Sequence, residues 1–141
     1  MEDAGMNLVP NVLATLVGGA IYWVIGGAWY AAILSKPYQT ALGFGADQAQ
    51  QIKKSMPMAL LLFFISGILS AYVIGRIVLV ANAATFLQGM IVGLWIWVGF
   101  AITIVVNLQV FEHRPKPLLW INGVFYLIVF PVLGGIMAIW K

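Results

Sequence analysis

Four long apolar stretches alternate with short polar connections along this chain, at residues 8–34, 57–80, 85–111 and 118–140. A helix that crosses a bilayer needs about 20 mostly apolar residues, because each residue adds about 1.5 Å and the hydrocarbon region is about 30 Å thick. Every stretch meets that length, so the pattern predicts four transmembrane helices. The connections leave no room for a further folded unit, and we expect a single transmembrane domain over residues 1–141.

The connection between the first two stretches contains a helical pattern of its own, over residues 47–54. Its acidic residue Asp47 lies at the start and its lysines lie at the end, which is the arrangement that a helix dipole favours. Ser55 then suits an N-cap and Pro57 a first helical turn, so the second span is expected to begin there. The predicted fold class is all-α, a four-helix transmembrane bundle with a short cytoplasmic surface helix.

Lysine and arginine residues indicate the orientation of the bundle, because they favour the cytoplasmic side of a membrane. The first and third connections carry most of them, namely Lys36, Lys53, Lys54, Arg114 and Lys116. We therefore expect these connections in the cytoplasm and both termini outside. Arg76, Arg114 and Lys116 lie at helix ends and are expected to anchor the spans to lipid headgroups.

The composition supports the prediction of a membrane protein and excludes several classes of function. Of the residues, 63% are hydrophobic and 8% are charged, whereas soluble domains carry about 25% charged residues. The absence of cysteine and the single His113 exclude a disulfide framework, a thiolate site and a histidine-rich metal cluster. There is no basic stripe for nucleic acid. The expected partners are membrane lipids and further copies of the chain, with no cofactor, no metal and no nucleic acid.

Small residues at four-residue spacing occur in the second and third stretches. Gly67, Ala71 and Gly75 share one face of the second helix, and Gly89 and Gly93 share one face of the third. In lipid, small residues let two helix backbones approach closely, and this packing stabilises helix association. The two faces are therefore expected either to pack inside the bundle or to form a homodimer interface.

The third stretch also contains a row of residues that step by three or four positions. The members are Gly89, Gly93, Trp97, Phe100, Ile104, Asn107 and Phe111. Helical spacing predicts that they form one stripe. Trp97, with Trp23 and Trp95, lies near the middle of the bilayer, where tryptophan is uncommon. We expect these tryptophans to form an aromatic core or to line a hydrophobic cavity.

Asn107 is the intramembrane amide that most needs a hydrogen-bond partner. Asn122 and Tyr126 on the fourth helix are the partners within reach, with Trp97 beside them. A hydrogen bond between membrane helices contributes about 0.6 kcal/mol on average. This polar patch is either a clasp between the third and fourth helices or a vestibule for a small solute.

The charged residues do not suggest catalysis. Glu112 is followed by His113 and Arg114 at a helix end, where we expect Glu112 to pair with a neighbouring cation or to cap the turn. No second carboxylate lies within the spans, so neither an acid–base pair nor a metal cage is expected. Pro131 is expected to kink the fourth helix, and the alternative is a broken helix that binds an ion.

Two short segments resemble each other. Tyr22-Trp23-Val24-Ile25-Gly26 is similar to Ile96-Trp97-Val98-Gly99, and each leads towards a connection with lysine and proline. The two halves of the chain are therefore either related hairpins, turned about an axis along the membrane normal, or only similar by chance.

Several motifs together resemble one family, in this order along the chain: Gly27-Ala28-Trp29-Tyr30, Trp97-Val98-Gly99-Phe100, Asn107, Phe111-Glu112-x-Arg114-Pro115, Ile121-Asn122-x-x-x-Tyr126 and Ala138-Ile139-Trp140. They resemble the small bacterial membrane proteins grouped as domain of unknown function 1761. The resemblance implies four helices in a bacterial cytoplasmic membrane. It implies no activity, cofactor or site residue.

Three hypotheses for function follow from these patterns. The first is a non-enzymatic integral membrane protein whose helices pack into a homo-oligomer. The alternative is a small-solute or ion channel or permease formed by oligomerisation, since four helices enclose little space. The third is a membrane enzyme that acts on a lipid, against which the missing acid–base pair argues.

Overall fold

The computed structural model describes residues 7–141, and within that part all regular structure is helical. The helices are α1 Val12–Gly26, α2 Ser35–Leu42, α3 Ala46–Val80, α4 Phe86–Ile96, α5 Ile102–Phe111 and α6 Lys116–Ile139. A π-helical segment, Gly27–Ile33, continues α1, and a second one, Trp97–Ala101, joins α4 to α5. The predicted all-α class is confirmed.

Four of the helical segments are long and apolar enough to cross a membrane. They are Val12–Ile33, Ala46–Val80, Phe86–Phe111 and Lys116–Ile139. The number and the order of the spans agree with the sequence pattern, because the length of an apolar run alone decides whether it can cross the hydrocarbon region.

The first connection folds differently from the prediction. The short helix is α2, which ends at Gly43 in the left-handed conformation, and residues 47–54 are the first turns of α3. Gly45 occupies the N-cap position that was expected for Ser55, and Pro57 lies inside the helix. Pro57 removes one hydrogen bond, but this part of α3 is exposed, so water can bind the freed carbonyl. The 35 residues of α3 extend about 52 Å, well beyond a hydrocarbon region of about 30 Å.

The last helix is the centre of the bundle. In the apolar window of α6, 56% of the residues are buried, against 22–33% in the other three spans. α1 and α3 pack together on one side of α6, and α4 packs on another side. The core residues of these contacts are Tyr22, Ala71, Ile74, Val78, Ala83, Phe125, Val129, Leu133 and Ala138. Side chains between the spans therefore lie either against α6 or between α1 and α3.

Glycine allows α4 and α6 to approach at backbone distance. A Cβ added at Gly89 would collide with the carbonyl group of Gly134, and one at Gly93 would collide with the carbonyl group of Phe130. Pro131, the next residue, stays inside a continuous α6, so the expected alternative of a broken helix is not found. The crossing of α4 and α6 thus depends on residues without a side chain.

The small residues of the second span are likewise covered by the chain's own helices. Gly67 lies against Tyr22, Ala71 lies against Gly18, and Gly75 lies against Met137. The faces that could have formed a homodimer therefore pack inside the chain, and an interface between copies needs another surface.

Candidate functional site

Polar contacts between the spans converge on the first half of α6. The indole Nε1 of Trp29 donates to the carbonyl of Ile121 at 2.9 Å, and that of Trp97 donates to the carbonyl of Gly123 at 2.8 Å. The hydroxyl of Tyr30 donates to Oδ1 of Asn122 at 2.8 Å. We call these four side chains, Trp29, Tyr30, Trp97 and Asn122, the polar collar. It satisfies two indole N–H groups that would otherwise lie unpaired between helices.

The two π-helical segments position the tryptophans of the polar collar. Trp29 lies in the first and Trp97 in the second. A π turn contains one residue more than an α turn and changes the direction of the side chains that follow, and such turns are frequent at functional sites. Ile121 and Gly123 are about 200° apart around α6, so the indoles hold it from nearly opposite sides.

These hydrogen bonds pair the segments around Trp29 and Trp97, which differs from the pairing that the sequence similarity suggests. The sequence similarity pairs Trp23 with Trp97, but Trp23 is 41% exposed and Trp97 hydrogen-bonds to α6. In the structure Trp29 is the counterpart of Trp97, because both lie in a π segment and both donate to a carbonyl of α6. Trp95 is 71% exposed, so the expected cluster of three mid-depth tryptophans is wrong. Residues 95 and 97 are about 200° apart on a helix and cannot face the same neighbour.

The predicted stripe on the third span divides at the π turn. Gly89, Gly93 and Trp97 face α6, whereas Phe100, Ile104, Asn107 and Phe111 are exposed. The widened turn shifts the inward positions, which continue at Ala101 and Val105. Asn107 therefore does not meet the fourth helix, and the expected clasp with Asn122 or Tyr126 is not formed.

The other two members of the predicted patch lie inside the bundle. Asn122 accepts the Tyr30 hydroxyl, and Tyr126 packs against Phe125 and Phe130 with ring centroids 5.0 and 5.3 Å away. Phe125 is also in contact with Tyr22, at 5.4 Å. Such aromatic pairs contribute about 0.5–1.5 kcal/mol each beyond the area they bury.

Gln109, and not Asn107, is the amide of the third span that lies close to the fourth helix. Its Nε2 donates to the carbonyl of Arg114, and its Oε1 is buried without a hydrogen-bond partner among the described residues. It lines a cavity of about 10 Å³ between α5 and α6, together with Arg114 and Asn122. Gln109 follows Gly89, Gly93 and Trp97 at a multiple of four residues. This spacing is the sequence signal that could have identified it.

Tyr38 connects α2 to this end of the bundle. Its ring lies 4.9 Å from that of Tyr30. Burial raises the pKa of Tyr38, the Arg114 guanidinium opposes the rise, and Tyr126 adds to it. Burial thus favours the neutral form of this hydroxyl.

The charged residues lie at the ends of the spans. Glu112 and Arg114 form an ion pair of 2.7 Å with both side chains about half exposed, which confirms the predicted pairing of Glu112. Arg76 is exposed and its guanidinium carbon lies 6.0 Å from the centre of the Tyr72 ring. Lys116 is exposed at the start of α6. These positions suit contact with headgroups, which stays a prediction.

No metal cluster is found within residues 7–141. No group of three His, Asp or Glu side chains in this part could hold a metal ion. A second cavity, of about 280 Å³, lies at the opposite end of the bundle beside Pro10, Met137 and Trp140. Val129 and Leu133 of α6 are fully buried between the two cavities and separate them.

A family model described as a protein of unknown function, DUF1761, matches residues 13–138. The chain belongs to this family. The match confirms the resemblance and includes every residue of the polar collar. No curated protein and no solved structure matches the chain.

Proposed function

We propose that this chain is a non-enzymatic integral membrane protein that works as a packed helical scaffold and assembles with further copies of itself. The polar collar is the observation that supports this proposal. Its side chains hydrogen-bond to α6 or to each other, so they hold the fold together and present no free nucleophile or base between the spans. The ionisable residues Glu112, His113 and Arg114 are exposed in the connection before α6.

The outer face of the third span is the surface that we propose for assembly. It carries Gly99, where a side chain would meet open space, and Thr103 and Asn107 follow at four-residue intervals. Large exposed side chains flank this row, among them Trp95 and Phe100. Two parallel copies would place their Asn107 amides at equal depth, where each amide can donate to and accept from the other.

Disulfide trapping in native membranes tests this assembly, and the absence of cysteine from the sequence gives a clean background. We expect Thr103→Cys to form an oxidised dimer. Leu69→Cys, exposed on α3, is the matched control and should stay monomeric. A monomer with Thr103→Cys, or equal dimer formation by both variants, would contradict the proposed face.

A channel or permease formed by oligomerisation is the second candidate. The same row of Gly99, Thr103 and Asn107 supports it, since these residues could line a path between copies. The test is flux of small ions and solutes into liposomes that contain the protein, with Asn107→Leu as the comparison. Flux that Asn107→Leu abolishes would favour this candidate over a scaffold, and no flux above empty liposomes would remove it.

We also propose a bacterial cytoplasmic membrane and an orientation with both termini outside. The distribution of lysine and arginine supports the orientation, since Lys36, Arg114 and Lys116 lie in the first and third connections. A reporter enzyme that is active only outside the cytoplasm, fused after Lys141, should be active. Activity only when the reporter is placed after Gly43 would reverse the orientation.

A further inference from the structure

We propose that the cavity between α5 and α6 binds one water molecule, which joins the third and fourth spans through Gln109 and Asn122. Three features of the cavity favour this water site: the orientation of each amide, the volume of the cavity and the charge of its lining. It does not depend on the oligomeric state or on transport.

The orientation of the Gln109 amide decides which kind of group it can bind. Its Nε2 donates to the carbonyl of Arg114, and the reversed amide would place an oxygen against that oxygen. Oε1 is therefore the atom that lies buried and unpaired. A buried acceptor without a partner is destabilising by about 1–3 kcal/mol, so a bound donor is strongly favoured here.

Asn122 supplies the complementary group from the other side of the cavity. Its Oδ1 already accepts the hydroxyl of Tyr30, which leaves Nδ2 to donate. A ligand that bridges the two helices must thus donate to Gln109 and accept from Asn122. Water does both, whereas an ammonium group can only donate and a phosphate oxygen can only accept.

The size and the charges of the cavity favour water over a lipid headgroup. The volume of about 10 Å³ is at the lower limit of about 10–15 Å³ that one water molecule needs. Arg114 also lines the cavity, but the Glu112 carboxylate lies 2.7 Å from its guanidinium and offsets its charge there. Four of the seven lining residues are apolar, and Gln109, Arg114 and Asn122 supply the polar groups that a bound water needs, whereas dry cavities of proteins are lined by apolar groups alone.

Water-edited solid-state NMR of the protein in lipid bilayers, with labelled glutamine and asparagine side chains, tests the site. We expect magnetisation to reach the Gln109 and Asn122 amides from a bound water. Gln109→Met keeps the side-chain length but removes the acceptor, and it should abolish the transfer to Asn122. Asn107→Leu, on the outer face of the same span, is the matched control and should leave the transfer unchanged.

A structure at a resolution that shows water gives an independent result, even if Gln109→Met fails to fold. A density peak about 3 Å from both Gln109 Oε1 and Asn122 Nδ2 would support the site. An empty cavity, a density continuous with a lipid, or side chains that close the space would overturn the proposal. Transfer to Asn122 that persists in folded Gln109→Met would also overturn it.

Discussion

The crossing of α4 and α6 can be tested by adding a single methyl group. In Gly89→Ala the new Cβ would overlap the carbonyl group of Gly134, which belongs to the backbone and cannot turn away as a side chain can. Overpacking of a close contact usually destabilises by about 1–3 kcal/mol. We expect the upper end, about 3 kcal/mol, because the two helices must separate along their contact.

For a chain of this size, a loss of about 3 kcal/mol corresponds to a melting temperature about 6–12 °C lower. The assay is thermal unfolding in detergent micelles, followed by tryptophan fluorescence. Gly99→Ala is the matched control, since its Cβ would meet open space, and its melting temperature should change little. A melting temperature of Gly89→Ala within about 2 °C of the wild type would refute the reasoning.

Three further predictions use the same unfolding assay. Trp97→Phe loses the indole hydrogen bond to α6 and should lower the free energy of unfolding by about 1 kcal/mol or more. Trp95→Phe, on the exposed side, should have little effect. Equal effects of the two substitutions would show that the polar collar does not stabilise the fold. Because burial raises the pKa of Tyr38 in the folded state, the unfolded chain releases this proton first above about pH 10, and stability should fall there. Tyr38→Phe should flatten that decline above about pH 10, and an unchanged profile would exclude Tyr38 as its source. Glu112→Gln should change stability by less than about 1 kcal/mol, since the ion pair is half exposed.

The sequence was sufficient to predict the number of spans and their order. Apolar length decides whether a helix can cross a bilayer, and that length can be read without any knowledge of contacts. The close positions at Gly67 and Gly89 were also visible from their four-residue spacing, although the spacing did not say which helix each one would meet. For Gly89 that partner is the central helix α6, whereas Gly67 meets α1.

Only part of the candidate site could be predicted. Trp97 and Asn122 belong to the predicted polar patch, but their partners depend on a break in helical periodicity. An unbroken α-helix predicts that Asn107 and Trp97 share a face, but the π turn at Trp97–Ala101 moves the inward position to Gln109. Hydrophobicity does not reveal this turn, since the residues on either side of it are equally apolar. The neighbouring motif at Trp29-Tyr30 was visible as part of the family resemblance, but its partner on α6 was not.

The structure of the first connection differs from the prediction because a proline does not always mark the start of a helix. Pro57 was expected at the start of the second span, whereas Pro37 is the one that lies in a first turn, that of α2. A proline in the exposed part of a long helix removes one backbone hydrogen bond. The other hydrogen bonds of α3 are sufficient to keep the helix continuous at Pro57. The glycines at positions 43 and 45 were the better boundary signal.

The central position of α6 has a consequence for how the protein is made. A chain is synthesised from its N-terminus, so the helix that contacts the other three spans is made after them. The first two spans pack against each other and can pair early. The third span makes its main contact with α6 and must wait in lipid until Lys116–Ile139 arrives. A ribosome that stops before α6 therefore releases a paired hairpin and one unpartnered helix, and the synthesis of α6 is the step that completes the bundle.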